Sequence, residues 1–428
     1  MRIAVVEFAG KGGLIHYAYQ LCRALAGAGA DVTLLTDRRY ELEGLPHAFR
    51  VEKLLDLWDP KPAGPPPGPF LRPLRRSVRA VLYCREWSKL VRYLRRTRPD
   101  IVQLGDVRFA SDLPLLILLR RVGLRLADVC HNVLPFATGS GLPRRSPLVR
   151  SAFQRIYCQF DTIFVHYATN RRAFLSAFDV DPARVVEIPH GNEELFAELA
   201  RPDLGADSLR HELGLTARDR IVLLFGTLSR YKGADLLLHA FPRVLDREPR
   251  ARLVLAGFPA PDFDAAAHHD LARRLGIEDR VRFVTRYVES AAVAAWMSLT
   301  EVAVFPYRAV FQSGVLHVAH TFGVPIVATR VGATEDVIVD GESGLLVPPE
   351  DPTALAAAIV RILTDAGLAA RLRARAREEA RRRFAWERIA TLMLERYRGL
   401  VGPGTDAAVG EGQPASAGSR RAGSLETP

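Results

Sequence analysis

Twice along this chain, short apolar segments alternate with longer stretches of helical periodicity, and no other feature restricts the fold as sharply. The first half reads "RIAVVEFAG", then the helical "GGLIHYAYQLCRALAGAGA", then "DVTLLTD", followed by "DIVQLGD", "RLADVCHN", "TIFVHY" and "RVVEIPHG". The second half repeats the rhythm with "RIVLLFGTLS", the helical "GADLLLHAFPRVL", "ARLVLAG", "VRFVTR", "VAVFPY" and "PIVATR". Strands with so few polar positions need cover on both faces, and helices between successive strands supply the crossovers of a parallel sheet. The expected class is α/β, with two doubly wound parallel-sheet domains.

At 428 residues the chain is too long for one ordinary core, and its 48% hydrophobic and 25% charged content is that of folded domains. The polar stretch 196–218 lacks strand pattern and is read as the linker between a domain at 1–195 and one at 219–383. The run "KPAGPPPGPF" at 61–70 is expected to be a stiff exposed loop, and 401–428 has too little apolar content to fold. Cys22, Cys84, Cys130 and Cys158 lack metal-ligand spacing, and glycines follow "MRIAVVEF" where a secretory signal would continue, so a cytoplasmic chain with buried thiols is expected. The apolar run "LPLLILL" ends at Arg120 and Arg121, far short of the ~20 residues of a spanning helix. The net charge of +11 suits nucleic acid, an anionic membrane or phosphorylated substrates equally.

Three loops carry the chemistry. In "AGKGGLIHYAYQL", Gly12 and Gly13 turn the chain from the first strand into a helix, where backbone N–H groups can approach a phosphate or a sugar. The full G-x-G-x-x-G spacing is missing, which disfavours a dinucleotide-dependent dehydrogenase. In "FGTLSRYKGADLLLHAF", Gly226 ends a strand, and Arg230 and Lys232 precede a helix, a combination suited to a diphosphate. In "FQSGVLHVAHTFG", a helix begins after Ser313, leaving amides around Ser313, Gly314 and Val315 without intrahelical carbonyls. If strands "EVAVFP" and "RIVLLFG" are neighbours, those amides and the two cations converge on one anion.

With these loops in place the chain resembles the retaining family 4 glycosyltransferases, proteins of the GT-B fold with two Rossmann-like domains. The likeness covers most of residues 1–400. Its most specific part is "RVGATEDVIVDGESGLLVPPEDPTALAAAIVRIL" at 330–363, joined by "GGLIHYAYQLCRALAGAGADVTLLTD", "CHNVLPF", "IPHGN" and "FAWERI" in order. The resemblance implies metal-independent transfer of a sugar from a nucleotide-diphosphate donor, with no cofactor beyond that co-substrate, to a saccharide or polyprenyl-linked acceptor. It assigns Lys232 and Arg230 to the diphosphate with the 313–315 amides, Gly12 and Gly13 to the border of the sugar, and His131 to a place beside the transferred sugar. It also implies that a helix at 384–400 crosses back onto the first domain. The chain departs from the family in its paired glutamates: the register set by Gly314 puts Phe311 and Ala319 in their places, with Gln312 and Ser313 as substitute polar contacts.

His16, one turn into the first helix, is a candidate for contact with substrate or donor; His166 and His190 end strands, and His317 and His320 are expected to be structural. Residues 71–98 hold ten basic residues and one glutamate, with Leu71, Leu74, Val78, Val81, Trp87, Leu90 and Leu94 at helical spacing. Such a helix either buries its stripe in the first domain or docks on an anionic membrane surface. Three competitors stand beside the transferase reading. They are a non-catalytic sugar-nucleotide binder, a two-domain epimerase, for which no convincing carboxylate pair is found, and a nucleic-acid binder, disfavoured because the basic segment has few aromatics.

Overall fold

The computed structural model describes residues 1–57, 72–105, 107, 109–133 and 147–402. The first domain is built on β1 (Arg2–Val6), β2 (Asp31–Asp37), β3 (Arg50–Leu55), β4 (Ile101–Leu104), β5 (Leu126–Cys130), β6 (Thr162–His166) and β7 (Val185–Ile188). Its helices are α1 (Gly13–Gly27), α2 (Arg72–Thr97), α3 (Leu113–Arg121), α4 (Pro147–Tyr157) and α5 (Tyr167–Ala177). The seven strands run in the order β3-β2-β1-β4-β5-β6-β7, every pairing parallel.

After α6 (Leu195–Glu198) and α7 (Ala206–Glu212) comes the second sheet: β8 (Arg220–Phe225), β9 (Ala251–Ala256), β10 (Val281–Val284), β11 (Val302–Phe305), β12 (Ile326–Thr329) and β13 (Leu345–Val347). Its order is β10-β9-β8-β11-β12-β13, again parallel throughout. Around it lie α8 (Ala234–Leu245), α9 (Ala265–Arg274), α10 (Val293–Leu299), α11 (Gly314–Phe322), α12 (Thr334–Val337), α13 (Pro352–Thr364), α14 (Ala366–Arg382) and α15 (Trp386–Val401). Each sheet has an apolar layer on both faces, which is why its strands read as nearly continuous apolar runs.

Two sheet positions matter for function. Strand order reverses between β1 and β4 in the first domain and between β8 and β11 in the second, so the helices leave opposite faces there and a crevice opens at the carboxyl ends. The expected neighbourhood of "EVAVFP" and "RIVLLFG" is real: β11 pairs with β8 through Val302 opposite Val222.

The segment 196–218 is more structured than a bare linker, since Leu209, Leu213 and Leu215 are buried in the second domain's core. At the other end α15 returns to the first domain, where Trp386, Ile389, Met393 and Tyr397 pack with Ile15, Leu21 and Leu25 of α1. Gly191 makes that return possible, because a Cβ there would lie 2.1 Å from the Trp386 ring. Trp386 Nε1 donates to the Asn192 carbonyl at 2.8 Å, and the Asn192 N–H donates to the Phe384 carbonyl at 2.8 Å.

Helix α2 forms as its periodicity requires, and Tyr83, Trp87, Leu90 and Leu94 are buried against the first sheet. Val78 and Val81 stay outside, at 49% and 69% exposure. The expectation of buried thiols holds for Cys22 and Cys130 only; Cys84, on the outer side of α2, and Cys158, in the turn after α4, are exposed. The loop expected at 61–70 lies outside the described residues, as does the tail beyond residue 402. Among the described residues no single helix is long and apolar enough to cross a membrane.

Candidate functional site

The carboxyl ends of both sheets face one cavity of about 350 Å³ between the domains. From the first domain it is lined by Gly12, Gly13, His16, Tyr17, His131, His190 and Glu193; from the second by Gly226, Lys232, Tyr287, Ser290, Gln312, Gly314 and Val315, among others.

The second-domain wall is built at the β8–β11 crevice. Gly226 leaves β8 with φ 102°, and a Cβ there would meet a Val315 methyl at 2.7 Å and Lys232 Nζ at 3.3 Å. The bend, the lysine and the start of α11 therefore touch one another, and only a residue without a side chain fits between them. Lys232 is 5% exposed, with Nζ 5.4 Å from the centre of the Tyr307 ring. The Tyr307 hydroxyl lies 3.1 Å from Ser313 Oγ, which in turn accepts the Leu316 N–H at 3.3 Å. Ser313 thus caps α11, and the first amides of the helix, at Gly314 and Val315, have no carbonyl one turn back to accept from them.

The first-domain wall holds a row of imidazoles. His131, just past β5, has Nδ1 3.1 Å from His166 Nε2, and the Tyr17 ring packs edge-on against His131 at 4.6 Å. Burial, then the neighbouring His131 and His190, hold His166 well below the usual histidine range. Burial likewise lowers His190 to about 4. His190 Nδ1 is 2.9 Å from the Gly191 carbonyl, and its ring stacks on His317 at 4.6 Å. His317 Nε2 pairs with the Tyr167 hydroxyl at 2.8 Å, a buried contact between α11 and the start of α5 that ties the domains together.

Most of the sequence-predicted residues meet here. Gly12, Gly13, His16, His131, Gly226, Lys232, Gln312, Gly314 and Val315 all line the cavity. Arg230 does not: it is exposed on the outside of the loop, where its carbonyl accepts from Arg308 Nη1 at 3.0 Å. Ser313 also lies outside the lining, its hydroxyl committed to the cap. On α11 it is Val318 that faces the cavity, whereas Ala319 is buried in the second domain's core and Phe311 packs against the first domain.

Two carboxyl groups escaped the sequence reading. Glu41, in the turn after β2, accepts the Gly12 N–H at 2.7 Å and pairs with His16 Nε2 at 2.7 Å; the same His16 nitrogen lies 3.2 Å from Ser290 Oγ across the cleft. Burial opposes charge on Glu41, but the bonds from His16 and Gly12, with Lys11 nearby, hold its carboxyl below the usual range. His16 is therefore a brace between the glycine turn and the facing domain. The second is Glu193, whose burial pushes its carboxyl up to about 8. Neither sits in a spacing that signals a site; each had only its place beyond the carboxyl end of a strand, Glu41 after β2 and Glu193 after β7.

A sequence model described as Glycosyltransferase Family 4 matches residues 11–193, and one described as Glycosyl transferases group 1 matches 219–365. Together they take in well over half of the chain, one on each domain. The chain belongs to glycosyltransferase family 4. Its two facing parallel-sheet domains are the GT-B fold. Among curated proteins it is 28% identical to the D-inositol 3-phosphate glycosyltransferase of Corynebacterium glutamicum (strain R), over 58% of this chain and 59% of that protein. The chain thus matches about 59% of the length of that relative. The namesake from Frankia alni is also 28% identical, over 92% of this chain and 95% of its own. Among solved structures, the sucrose-phosphate synthase of Thermosynechococcus elongatus matches with TM-score 0.68 and 25% identity, over 94% of this chain and 99% of its own. HepE of Anabaena, solved with UDP and glucose, matches with TM-score 0.68 over 93% of this chain and 100% of its own; at 19% identity that likeness concerns the fold.

Proposed function

We propose that this family 4 protein is a retaining, metal-independent transferase that moves a sugar from a nucleoside-diphosphate donor to a saccharide or lipid-linked acceptor in making a cell-surface polysaccharide or glycolipid. The observation that carries the reading is Lys232, buried under the Gly226 bend and beside the start of α11, at the point where strand order reverses. A diphosphate there would meet a cation and the positive end of a helix at once.

As the bond from the sugar to the distal phosphate lengthens, negative charge grows on that phosphate. A lysine held in place within the cleft stabilises the charge without reorganising, which is the work a metal does in other sites. Gln312 adds a polar contact: its Oε1 is buried, has no hydrogen-bond partner, and belongs to a side chain lining the cavity. His131 faces the same space from the acceptor side, and the His16–Ser290 contact links the two domains across the cleft.

The acceptor's side carries the charge. Arg92, Arg95, Arg96 and Arg98 surround a groove between α2 and α3 with Leu115 and Leu118, and the exposed Val78 and Val81 lie on the same helix. Each arginine near an anionic leaflet contributes about 1 kcal/mol, so this face would bring the enzyme, working from the cytoplasm, to a lipid-linked acceptor.

Calorimetry of the full chain with UDP, GDP and ADP, each with and without its sugars, tests the donor; incubation with chelator and a panel of acceptors tests transfer. Phe311 and Ala319 stand at the positions of the family's glutamate pair, and α11 presents only Gly314, Val315 and Val318 to the cavity; that lack of a carboxylate favours a second reading, a non-catalytic sugar-nucleotide binder. Tight donor binding without transfer or donor hydrolysis across the panel would decide for the binder.

A further inference from the structure

Among the described residues lining the cavity, Glu193 is the sole carboxyl. It follows β7 in the sequence "IPHGNEE" and is 4% exposed. Its place is fixed from two sides: Gln20 Nε2 of α1 donates to Oε2 at 3.0 Å, and its own N–H donates to Thr321 Oγ1 of α11 at 3.0 Å. Oε1 is turned toward the start of α11, 3.8 Å from the point a Cβ on Gly314 would occupy, and His190 Nε2 is equally 3.8 Å from that point. Beside them stands Tyr17, its ring 5.3 Å from that of His190 and its hydroxyl buried without a hydrogen-bond partner.

We infer that Glu193 binds a hydroxyl of the sugar carried by the diphosphate, with Tyr17 and His190 completing a cradle on the first-domain wall. This rests on the donor reading above. If Lys232 and the start of α11 hold the diphosphate on the second-domain wall, the group bonded to its distal phosphorus points across the cavity, toward Glu193. That group is uncharged and rich in hydroxyls, and a cradle of one carboxyl, one phenol and one imidazole offers both donors and acceptors to it. Burial pushes the Glu193 carboxyl up to about 8, which favours its uncharged form at neutral pH and lessens its repulsion of the diphosphate close by. The α11 positions facing the cavity are apolar, so Glu193 supplies from the opposite domain the carboxyl that α11 does not.

A purely structural Glu193, bonded to Gln20 and Thr321, would change affinity for a nucleotide and for its sugar ester alike, and the ratio of the two separates the roles. Calorimetry at pH 7 uses the full chain with UDP, GDP and ADP, each against its glucose and mannose esters. The wild type is expected to bind one ester more tightly than the bare nucleotide. Glu193→Ala is expected to weaken that ester about tenfold, the loss of one hydrogen bond, while the nucleotide stays within about twofold; Glu193→Gln, which still donates and accepts, keeps most of the affinity. Tyr17→Phe removes a hydroxyl that bonds nothing in the protein, so it folds normally and is expected to weaken the ester alone by a few-fold. Equal losses on ester and nucleotide, or no loss on either, would overturn the inference and leave the donor reading standing. A wild type that binds none of these nucleotides would overturn the donor reading itself.

Discussion

Glu193→Gln should make the protein more stable, and by an amount that depends on pH. In the folded chain the carboxyl titrates at about 8 against an ordinary 4.5, because burial disfavours its charge and the single bond from Gln20 recovers only part of the loss. Below pH 4.5 the group is protonated whether the chain is folded or not, and it costs nothing. As pH rises toward 8, the unfolded chain gains an ionised carboxylate that the folded chain cannot, so the contribution of Glu193 to wild-type stability falls over that window and levels off above it. With 1.36 kcal/mol per pH unit, the gap reaches about 3 kcal/mol at pH 7 and about 5 above pH 8. Glutamine cannot ionise, and its amide oxygen can still accept from Gln20. His190, lowered by burial from 6.5 to about 4, changes stability between those values in both proteins alike and so drops out of their difference, and burial, with Glu193 nearby, raises Tyr17 out of the range. Thermal unfolding of both proteins from pH 5 to pH 9 is the assay. The midpoint difference should be small at pH 5, grow to roughly 5–10 °C by pH 8 and then stay flat. A difference constant across the range, or one that widens toward acid, would mean that Glu193 is ionised in the folded protein and that the cavity wall is charged.

Lys232→Ala should weaken every nucleoside diphosphate by roughly 10- to 100-fold whatever the base, whereas Arg230→Ala should change affinity less than twofold; calorimetry that reverses this order would move the diphosphate to the outside of the loop. Trp386→Ala should destabilise by about 3–5 kcal/mol, read as a lower denaturation midpoint, since it empties a buried site and leaves the Asn192 carbonyl without its bond from the indole. Gly191→Ala should shift the same midpoint downward, because the new methyl must displace that indole. Vesicles rich in anionic lipid should sediment the wild type, and neutral ones at equal salt should not; joint replacement of Arg92 and Arg95 by Glu should abolish the difference.

Much of the site was legible because it follows from chain order. A parallel strand delivers its carboxyl end to a loop and then to a helix start, so a cation after β8 and an amide cluster after β11 can be named from the sequence alone. Their convergence needed one further fact, the adjacency of β8 and β11, which the apolar pattern cannot supply since every strand of such a sheet looks alike. Arg230 and Lys232 show the limit: they are two residues apart, and only the one-turn helix between Ser229 and Gly233 decides that one enters the cavity and the other faces solvent. The α11 register is similar. Counting from Gly314 puts Ala319 at the family's second acidic position, but only packing shows that Ala319 is buried in the core while Val318 faces the cavity.

What the sequence determined by itself is the architecture and the kind of ligand: apolar strands alternating with amphipathic helices leave two doubly wound sheets as the way to bury both faces, and glycine turns with a lysine mark where an anion can rest. Only the tertiary structure decided which carboxyls belong to the site. Glu41 lies in an unremarkable turn, and Glu193, although it directly follows "IPHGN", has no local pattern that distinguishes it from a solvated acid. Their roles come from burial and from the approach of a second domain, and both are properties of the assembled fold, since desolvation depends on every atom nearby and not on neighbours along the chain.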